Sequence, residues 1–375
     1  MRVAIEVDYA GAGVRGGTHY INHLLENLAR VAPEDEFLIF GFFYHDFARK
    51  LQQVRVPAAP NMKLAVRRWP QSLVSRLEWG CGLPLIEGYL ALRGVDAYHC
   101  FRPPSRAARR VVVMQPDITP LTRPQWHPPE NLAVWENVTK PGLLRAGAIM
   151  TYCEATKKDL VERMGVAPEK VHITHLGVDH GLFKPGPGLE TARANYGLPA
   201  RYLLMVGPFD VLTHFETTLS AFKLWKAAGQ PAQVVAVGPV DDYVKVLQRR
   251  AEEEGVAGVF HWTGYVPHEE LGDLYRMADG LLYPSRLPGV ELPPYEAMAC
   301  GTPVVTSLEE NVADAGLVID ADCPQQLYEA ARKVWESSAL RAELGKKGVA
   351  RAAQFTWERC ARETLAVYRG VAGSA

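Results

Sequence analysis

The chain has 375 residues, a formal net charge of -1, 48% hydrophobic residues and 22% charged residues. This length exceeds one ordinary core and predicts two domains, while the balanced charge argues against a general nucleic-acid binder. No apolar run reaches the roughly 20 residues that span a bilayer, and the start, MRVAIEVDYAGAG, predicts a buried strand and a glycine turn rather than a secretory signal. We therefore expect a cytoplasmic protein, with peripheral contact at the inner membrane face left open.

The cysteines and acidic residues give no sign of a metal site. The six cysteines are scattered along the chain without a CxxC pair, so free thiols in a reducing compartment are the better interpretation. The acidic residues also lack the spacing of metal ligands, and we expect no bound metal.

Strands and helices alternate through the first half of the chain. The predicted strands are VAIEV, FLIFGF, AYHCF, RVVVMQ and AIMTY, with helical patterns such as HYINHLLENLARV between them. This alternation predicts an α/β fold with parallel sheets and helices on both faces. The pattern breaks near Lys184 at KPGPG, a stiff and polar hinge candidate. The first domain is therefore predicted at residues 1–184.

A second series of strands and helices follows this break. Its predicted strands are RYLLMVG, QVVAVG, VFHWTG, GLLYPS and TPVVTS. They predict a second domain at residues 185–355, followed by a C-terminal helix at 356–375 whose return to the first domain is left open. The loops after the carboxyl ends of parallel strands form the ligand crevice of open α/β sheets. Two such domains facing each other across a hinge predict an interdomain cleft.

Two adjacent glycines, Gly16 and Gly17, stand between the first strand and the first helix. Glycines at this place let backbone N–H groups and a helix N-terminus approach an anionic or hydroxylated ligand. The alternative is that they only form the turn, and it is at least as well supported by these residues alone.

Three separated segments carry a resemblance to a known family: TYCEATKKDLVERMGVAPEKVHITHLGVD, TGYVPHEELGDLYRMADGLLYPS and LPPYEAMACGTPVV. In this order and spacing they resemble the retaining glycosyltransferases of family 4, or group 1 glycosyltransferases. The resemblance implies the GT-B fold, in which two Rossmann-like domains face each other. It also implies transfer of a sugar, with retention, from a nucleotide-sugar donor to a glycan, a lipid-linked acceptor or a small molecule. It implies no cofactor and no metal, and a nucleoside diphosphate as product.

Several positions of the family's site are replaced in this chain. The resemblance assigns Glu296 to the ribose hydroxyls of the donor, whereas the first glutamate of the family motif falls on Pro288. The arginine and lysine that hold the donor pyrophosphate in relatives fall on Pro208 and Thr213. A histidine near the reacting sugar falls on Pro116.

The remaining polar residues around these positions are the candidate site residues. Glu291 is a candidate replacement carboxylate, with a solvated loop acid as the alternative, and a protonated His214 would partly restore the missing positive charge, with a solvent-facing helix start as the alternative. The predicted catalytic residues are Asp117, which follows Pro116, and Glu291. The predicted acceptor contacts are Trp126 and His127, for which simple loop packing is the alternative. The predicted donor-binding residues are Gly16, Gly17, Gly207, Thr213, His214, Gly289, Val290 and Glu296.

The replaced positions leave more than one function open. A sugar-nucleotide pyrophosphate carries about two negative charges, and losing one electrostatic stabiliser of such a leaving group costs on the order of 10²–10³ in rate. The first hypothesis is an active glycosyltransferase, and the second is a catalytically impaired relative that serves as a carbohydrate-binding or partner-binding scaffold. A third keeps catalysis but binds the donor differently. The expected partners are a nucleotide-sugar and a carbohydrate acceptor, and the sequence does not indicate the oligomeric state.

Overall fold

The computed structural model divides the chain into two compact units. The first unit comprises Met1–Gly177 together with Trp357–Ala375, and the second comprises Val178–Thr356. The segment KPGPG at 184–188 is therefore part of the second unit, near its start. The structure describes residues 1–8, 15–104, 110–210, 212–287 and 289–373.

The first unit is built on a parallel sheet. Its strands in the described residues are β1 (Arg2–Glu6), β2 (Glu36–Phe42), β3 (Met62–Arg67), β4 (Ala97–Cys100), β5 (Val111–Met114), β6 (Ala148–Thr151) and β7 (Val171–Ile173). They lie in the order β3-β2-β1-β4-β5-β6-β7 with parallel neighbours. Strand β5 has the sequence VVVM and is buried at every residue, because helices cover both faces of a parallel sheet.

Helices connect these strands along the chain. They are α1 (Arg15–Val31), α2 (Phe47–Gln53), α3 (Gln71–Ser75), α4 (Leu85–Leu92), α5 (Thr119–Thr122), α6 (Pro129–Val134), α7 (Lys140–Arg145) and α8 (Glu154–Met164). Helix α8 shows how local chemistry sets its ends. The sulfur of Cys153 accepts a hydrogen bond from the Thr156 N–H at 3.4 Å, and Gly165 ends the helix with a φ of 70°, a left-handed conformation that glycine adopts without strain.

The second unit contains its own parallel sheet. Its strands in the described residues are β8 (Leu203–Val206), β9 (Val234–Val237), β10 (Phe260–Gly264), β11 (Gly280–Tyr283), β12 (Val304–Thr306) and β13 (Leu317–Val318). They lie in the order β10-β9-β8-β11-β12-β13. The chain first builds outward from β8 in one direction and then restarts at β11 on the other side. The carboxyl ends of β8 and β11 therefore flank a topological switch point, where open α/β sheets leave a crevice.

The helices of the second unit continue the numbering. They are α9 (Glu190–Tyr196), α10 (Phe215–Ala228), α11 (Asp242–Glu253), α12 (His268–Met277), α13 (Leu292–Ala299), α14 (Glu309–Val312), α15 (Pro324–Glu336) and α16 (Ser338–Ala352). Side chains alternate between the two faces of the sheet. Leu204 and Leu281 belong to one apolar cluster, and their neighbours Leu203 and Leu282 belong to another. The second sheet is thus a buried layer between two helical layers.

The last helix, α17 (Trp357–Gly373), belongs to the first unit. The Trp357 ring stacks on His23 of α1 with centroids 4.8 Å apart. Farther along, the Tyr368 hydroxyl lies 2.6 Å from Nδ1 of the buried His99 on β4. These contacts place residues from both ends of the chain in one core.

The predicted α/β class with two Rossmann-like domains is confirmed by these two sheets. Strands β3, β7 and β13 were absent from the sequence-based prediction, and all three lie at sheet edges. Edge position accounts for β3 and β13, because exposed residues interrupt the buried ones in β3 and β13 has only two residues. Neither shows the continuous apolar run of a central parallel strand. Within the described part of the chain, no helix is both long and apolar enough to cross a membrane.

Candidate functional site

The loop after β8 begins with a turn that requires glycine. A Cβ atom at Gly207 would lie 2.7 Å from the backbone nitrogen of Phe209, a separation too short for any other residue. The Gly207 N–H donates to the Val237 carbonyl at 2.8 Å, and the Phe209 ring is buried. The chain therefore makes a tight turn as it leaves β8, and its backbone stays close to the carboxyl end of that strand.

The polar groups of the next residues in this loop form hydrogen bonds with one another. Oδ1 of Asp210 accepts hydrogen bonds from the N–H groups of Leu212 (2.8 Å) and Thr213 (3.0 Å). The Thr213 hydroxyl accepts from the Asp210 N–H at 2.9 Å and donates to the Asp210 carbonyl at 3.2 Å. Pro208 is exposed. The two positions that carry cations in the resembled family thus hold a neutral ring and a hydroxyl engaged within its own loop.

The loop after β11 is tied to the loop after β8. The Arg286 N–H donates to the Leu212 carbonyl at 2.7 Å, which joins the two loops across the switch point. Gly289 has a φ of 118°, which only glycine adopts readily, and Gly289 and Val290 are both half-buried. Pro288 lies outside the described residues.

Glu291 stands at the start of α13, where its backbone is clamped. The buried Asn311 side chain accepts a hydrogen bond from the Glu291 N–H at 3.2 Å and donates to the Glu291 carbonyl at 2.7 Å. Pro293 in the first turn suits a helix start, since its missing N–H needs no partner there. The position of Glu291 is thus set by its backbone, at the junction of loop and helix.

Glu296 lies one turn farther into α13 and is buried. Its Oε2 accepts a hydrogen bond from the Tyr275 hydroxyl at 3.0 Å, and Nε2 of His268 lies 3.9 Å from its Oε1. Burial raises the pKa of Glu296 to about 7, against the opposing effect of the Tyr275 hydrogen bond. The carboxyl group is therefore protonated in part at neutral pH, and a hydroxyl-bearing ligand that donates to it would favour the charged form.

His214 is a buried residue rather than a solvent-facing one. It is the N-cap residue immediately before α10, with a φ of 48°, and is 7% exposed. Its Nε2 lies 3.1 Å from Oδ1 of Asp322, and its Nδ1 lies 3.5 Å from Oε2 of Glu216. Burial raises the pKa of Glu216, but the nearby His214 and the hydrogen bond from Tyr243 outweigh it and bring that pKa to about 2. His214 therefore sits between two carboxylates.

In the first unit, the structure brings Asp117 and His127 together through Thr119. Oδ1 of Asp117 accepts from the Thr119 N–H at 2.7 Å and also from the Thr119 hydroxyl. Nε2 of His127 lies 3.0 Å from that same hydroxyl oxygen. The Pro116 carbonyl accepts from the Thr156 hydroxyl at 3.0 Å, which anchors the loop after β5 to helix α8.

The other predicted residues of the first unit lie near helix starts. Trp126 ends a short 3-10 turn and is half-buried, with the Arg123 guanidinium 5.7 Å from its ring centroid. Gly16 is exposed and Gly17 is buried in the first turn of α1. The residues just before them, 9–14, are outside the described ranges. No group of three or more His, Cys, Asp or Glu residues in the described chain is arranged to hold a metal ion.

The sequence-based prediction missed Arg286 and Asp322. Nε of Arg286 donates to Oδ1 of Asp322 at 2.9 Å, and that hydrogen bond is the main reason that the pKa of Asp322 lies below its usual value. A signal for Arg286 was present, because it is the sole basic residue in SRLPGVELPPYEAMACGTPVV. Asp322 lies 36 residues farther along the chain, and nothing in the sequence pattern pairs it with that loop.

Comparison with known structures assigns a fold class to these units. Over 100% of this chain and 99% of the other, the structure resembles Anabaena HepE in complex with UDP-glucose, with a TM-score of 0.71 at 17% identity. The two Rossmann-like units thus have the GT-B fold that the sequence predicted.

Sequence comparisons indicate which family within this fold class the chain resembles. Residues 190–351 match the family Glycosyl transferases group 1. O-antigen chain mannosyltransferase B of Escherichia coli is 28% identical over 279 residues, which are 72% of each chain. D-inositol 3-phosphate glycosyltransferase 1 of Catenulispora acidiphila is 32% identical over 226 residues, and the match spans about half of that relative, 54%. Residues 190–351 therefore resemble the group 1 glycosyltransferases, and the predicted resemblance to that group is confirmed.

Proposed function

We propose that this protein transfers a hexosyl group from a nucleotide-sugar donor to an acceptor hydroxyl, with retention of configuration. The acceptor is a glycan, a lipid-linked sugar or a small molecule. The two similar curated proteins are named as a mannosyltransferase and a D-inositol 3-phosphate glycosyltransferase, and these names support sugar transfer. HepE, which shares the fold, is described with UDP-glucose, and a uridine or guanosine diphosphate sugar is the donor class to test first.

The observation that carries the proposal is the construction of the switch point in the second unit. The loops after β8 and β11 are joined by the hydrogen bond from Arg286 to Leu212, and the buried Glu296 lies in the helix that follows the second loop. Open α/β sheets bind their ligands in this place. In the proposed complex Glu296 accepts hydrogen bonds from the ribose hydroxyls.

The remaining candidate residues divide between the diphosphate and the reacting sugar. The loop at Gly289 and Val290 offers backbone N–H groups to the phosphates, and Gly207, which has no side chain, leaves room for them beside the turn after β8. In the reaction the bond between the anomeric carbon and the diphosphate oxygen breaks, and its electron pair leaves with the nucleoside diphosphate. The acceptor oxygen forms the new bond to the anomeric carbon, and its proton passes to an oxygen of the departing diphosphate. We assign Asp117 and Glu291 to the surroundings of the sugar and the acceptor, and Trp126 and His127 to the acceptor.

One observation favours a second candidate function, a catalytically impaired binding scaffold. Pro208 carries no charge, and the Thr213 hydroxyl is engaged with Asp210. A site without cations would stabilise a departing diphosphate poorly. Such a protein would still bind carbohydrate or a partner protein.

Calorimetry and product analysis separate these functions. The proposal expects micromolar binding of UDP or GDP and release of nucleoside diphosphate from UDP-glucose or GDP-mannose, with the anomeric configuration of the product read by NMR. Inversion would overturn the assignment of retention. Absence of binding at millimolar nucleotide favours the scaffold. In that case the combined changes Pro208→Arg, Thr213→Lys and Pro288→Glu should create donor hydrolysis that the parent lacks.

A further inference from the structure

The switch point of the second unit holds one guanidinium group in a fixed place. Arg286 lies in the loop after β11, and its backbone is bound to Leu212 of the loop after β8 at 2.7 Å. The loop after β8 also contains Pro208 and Thr213, the two positions that lack the expected cations. The Arg286 side chain is 29% exposed, so a ligand in the crevice can reach it.

The Arg286 guanidinium forms an ion pair with a carboxylate that is largely exposed to solvent. Nε of Arg286 donates to Oδ1 of Asp322 at 2.9 Å, and a second guanidinium nitrogen contacts the same oxygen. The Asp322 side chain is 62% exposed. The pair therefore lacks the fork in which two nitrogens bind two oxygens, the arrangement that makes arginine–carboxylate pairs strong. Exposed ion pairs of this kind contribute little to stability, and an incoming anion can displace the carboxylate.

A second nitrogen donor faces the same oxygen. Nε2 of His214 lies 3.1 Å from Oδ1 of Asp322, and His214 is 7% exposed. One carboxylate oxygen thus occupies a position between a guanidinium and an imidazole. A phosphate oxygen in that position would contact both groups.

We propose that Arg286 binds the diphosphate of the donor and replaces the cations absent at positions 208 and 213, with Asp322 as its exchangeable counter-ion. His214 is the neighbouring donor. This inference rests on the proposed function for the identity of the ligand. The position of the anion beside Arg286 does not depend on the proposed function. Arginine suits the role because its planar fork matches two phosphate oxygens.

A structural role for the same pair makes the opposite prediction for Asp322. If Arg286 and Asp322 only hold the loop after β11 in place, removing either charge should weaken binding of every ligand. If Asp322 competes with phosphate for Arg286, Asp322→Asn should strengthen binding of a diphosphate. The sign of that one effect separates the two roles.

The test is calorimetric titration of the full chain and its variants with UDP, GDP, uridine, guanosine and inorganic pyrophosphate. Arg286→Ala should weaken diphosphate binding by about 10- to 100-fold, as expected for lost charge-assisted hydrogen bonds. Binding of the nucleosides should not change. Arg286→Lys should keep part of the affinity, and Asp322→Asn should raise it by roughly 3- to 10-fold. Arg332→Ala on α15, which removes an exposed pair with Glu336, is the matched control and should bind like the parent.

The outcomes distinguish failure of this inference from failure of the proposed function. If UDP or GDP binds the parent and Arg286→Ala equally, the inference is wrong and the proposed function survives. If no nucleotide binds but pyrophosphate does, and Arg286→Ala abolishes that binding, the proposed function fails and the anion site stands. If neither binds, both are overturned. Arg286→Lys keeps the positive charge, so it guards against a variant that merely fails to fold.

Discussion

The Tyr275 hydroxyl donates a hydrogen bond of 3.0 Å to the Glu296 carboxylate, and both side chains are buried. The bond joins α12 to α13, the helix that follows the loop after β11. Among the causes that set the pKa of Glu296, it opposes the effect of burial. The Tyr275 hydroxyl therefore helps to position the Glu296 carboxylate, the candidate ribose contact, and favours its charged form.

Tyr275→Phe removes this hydrogen bond while keeping the ring. We expect the pKa of Glu296 to rise further, and the free energy of unfolding to fall by about 1–2 kcal/mol because a buried acceptor loses its donor. Carbon-detected NMR of the labelled glutamate carboxyl, assigned with Glu296→Gln, measures the pKa. An unchanged titration would show that Tyr275 does not stabilise the charged form.

Glu296 should make stability depend on pH. Its pKa is about 7 in the folded protein against a usual value of 4.5, so between these values the folded chain holds a proton that the unfolded chain has lost. The free energy of unfolding should therefore fall as pH rises through this window, by about 3 kcal/mol from this group.

Glu296→Gln cannot titrate and should lack this contribution. Relative to the parent, the variant should gain stability between about pH 5 and about pH 8, as measured by urea unfolding at both values. Glu6→Gln offers an independent comparison, because burial raises the pKa of Glu6 to about 7 in the first unit. Parallel pH profiles for the parent and Glu296→Gln would contradict the prediction.

Thr119 connects the predicted catalytic and acceptor residues of the first unit. Thr119→Val removes the hydroxyl that contacts both Asp117 and His127 and preserves the size of the side chain. If these residues act together on the acceptor, kcat/KM should fall by roughly 10-fold. Thr119→Ser keeps the hydroxyl and should retain most of the activity. Equal rates for the two variants would show that the link is only structural.

Helix α16 packs against the end of α13 through glycine. A Cβ atom at Gly345 would lie 2.5 Å from the Gly301 carbonyl oxygen, a backbone atom that cannot move alone. Gly345→Ala should lower the free energy of unfolding by about 1–3 kcal/mol and weaken nucleotide binding, because the displaced segment leads back to Glu296. Gly88→Ala in α4 is the control. Apart from its chain neighbours and the backbone of its own helix, no described atom lies within 4 Å of its Cβ position, and the change should stabilise the helix by about 0.5–1 kcal/mol.

The central strands could be predicted from the sequence, whereas the pairings between loops could not. Strand β5 is a continuous apolar run, which is typical of a strand buried on both faces. The contact of Arg286 with Asp322, by contrast, joins residues from loops on either side of β12. Such a contact depends on where the sheet places loop ends, and no local periodicity encodes it. The link from Asp117 through Thr119 to His127 is local in the chain, but it depends on short irregular turns that no periodicity encodes either, although Asp117 and His127 were each named singly.

Helix α17 has a consequence for biosynthesis. The ribosome makes every residue of the second unit before it reaches Trp357, yet that tryptophan stacks on His23 of the first unit. Domains generally fold as they emerge, beginning at the amino end. Here the face of the first unit that α17 covers stays exposed until the part translated last has left the exit tunnel.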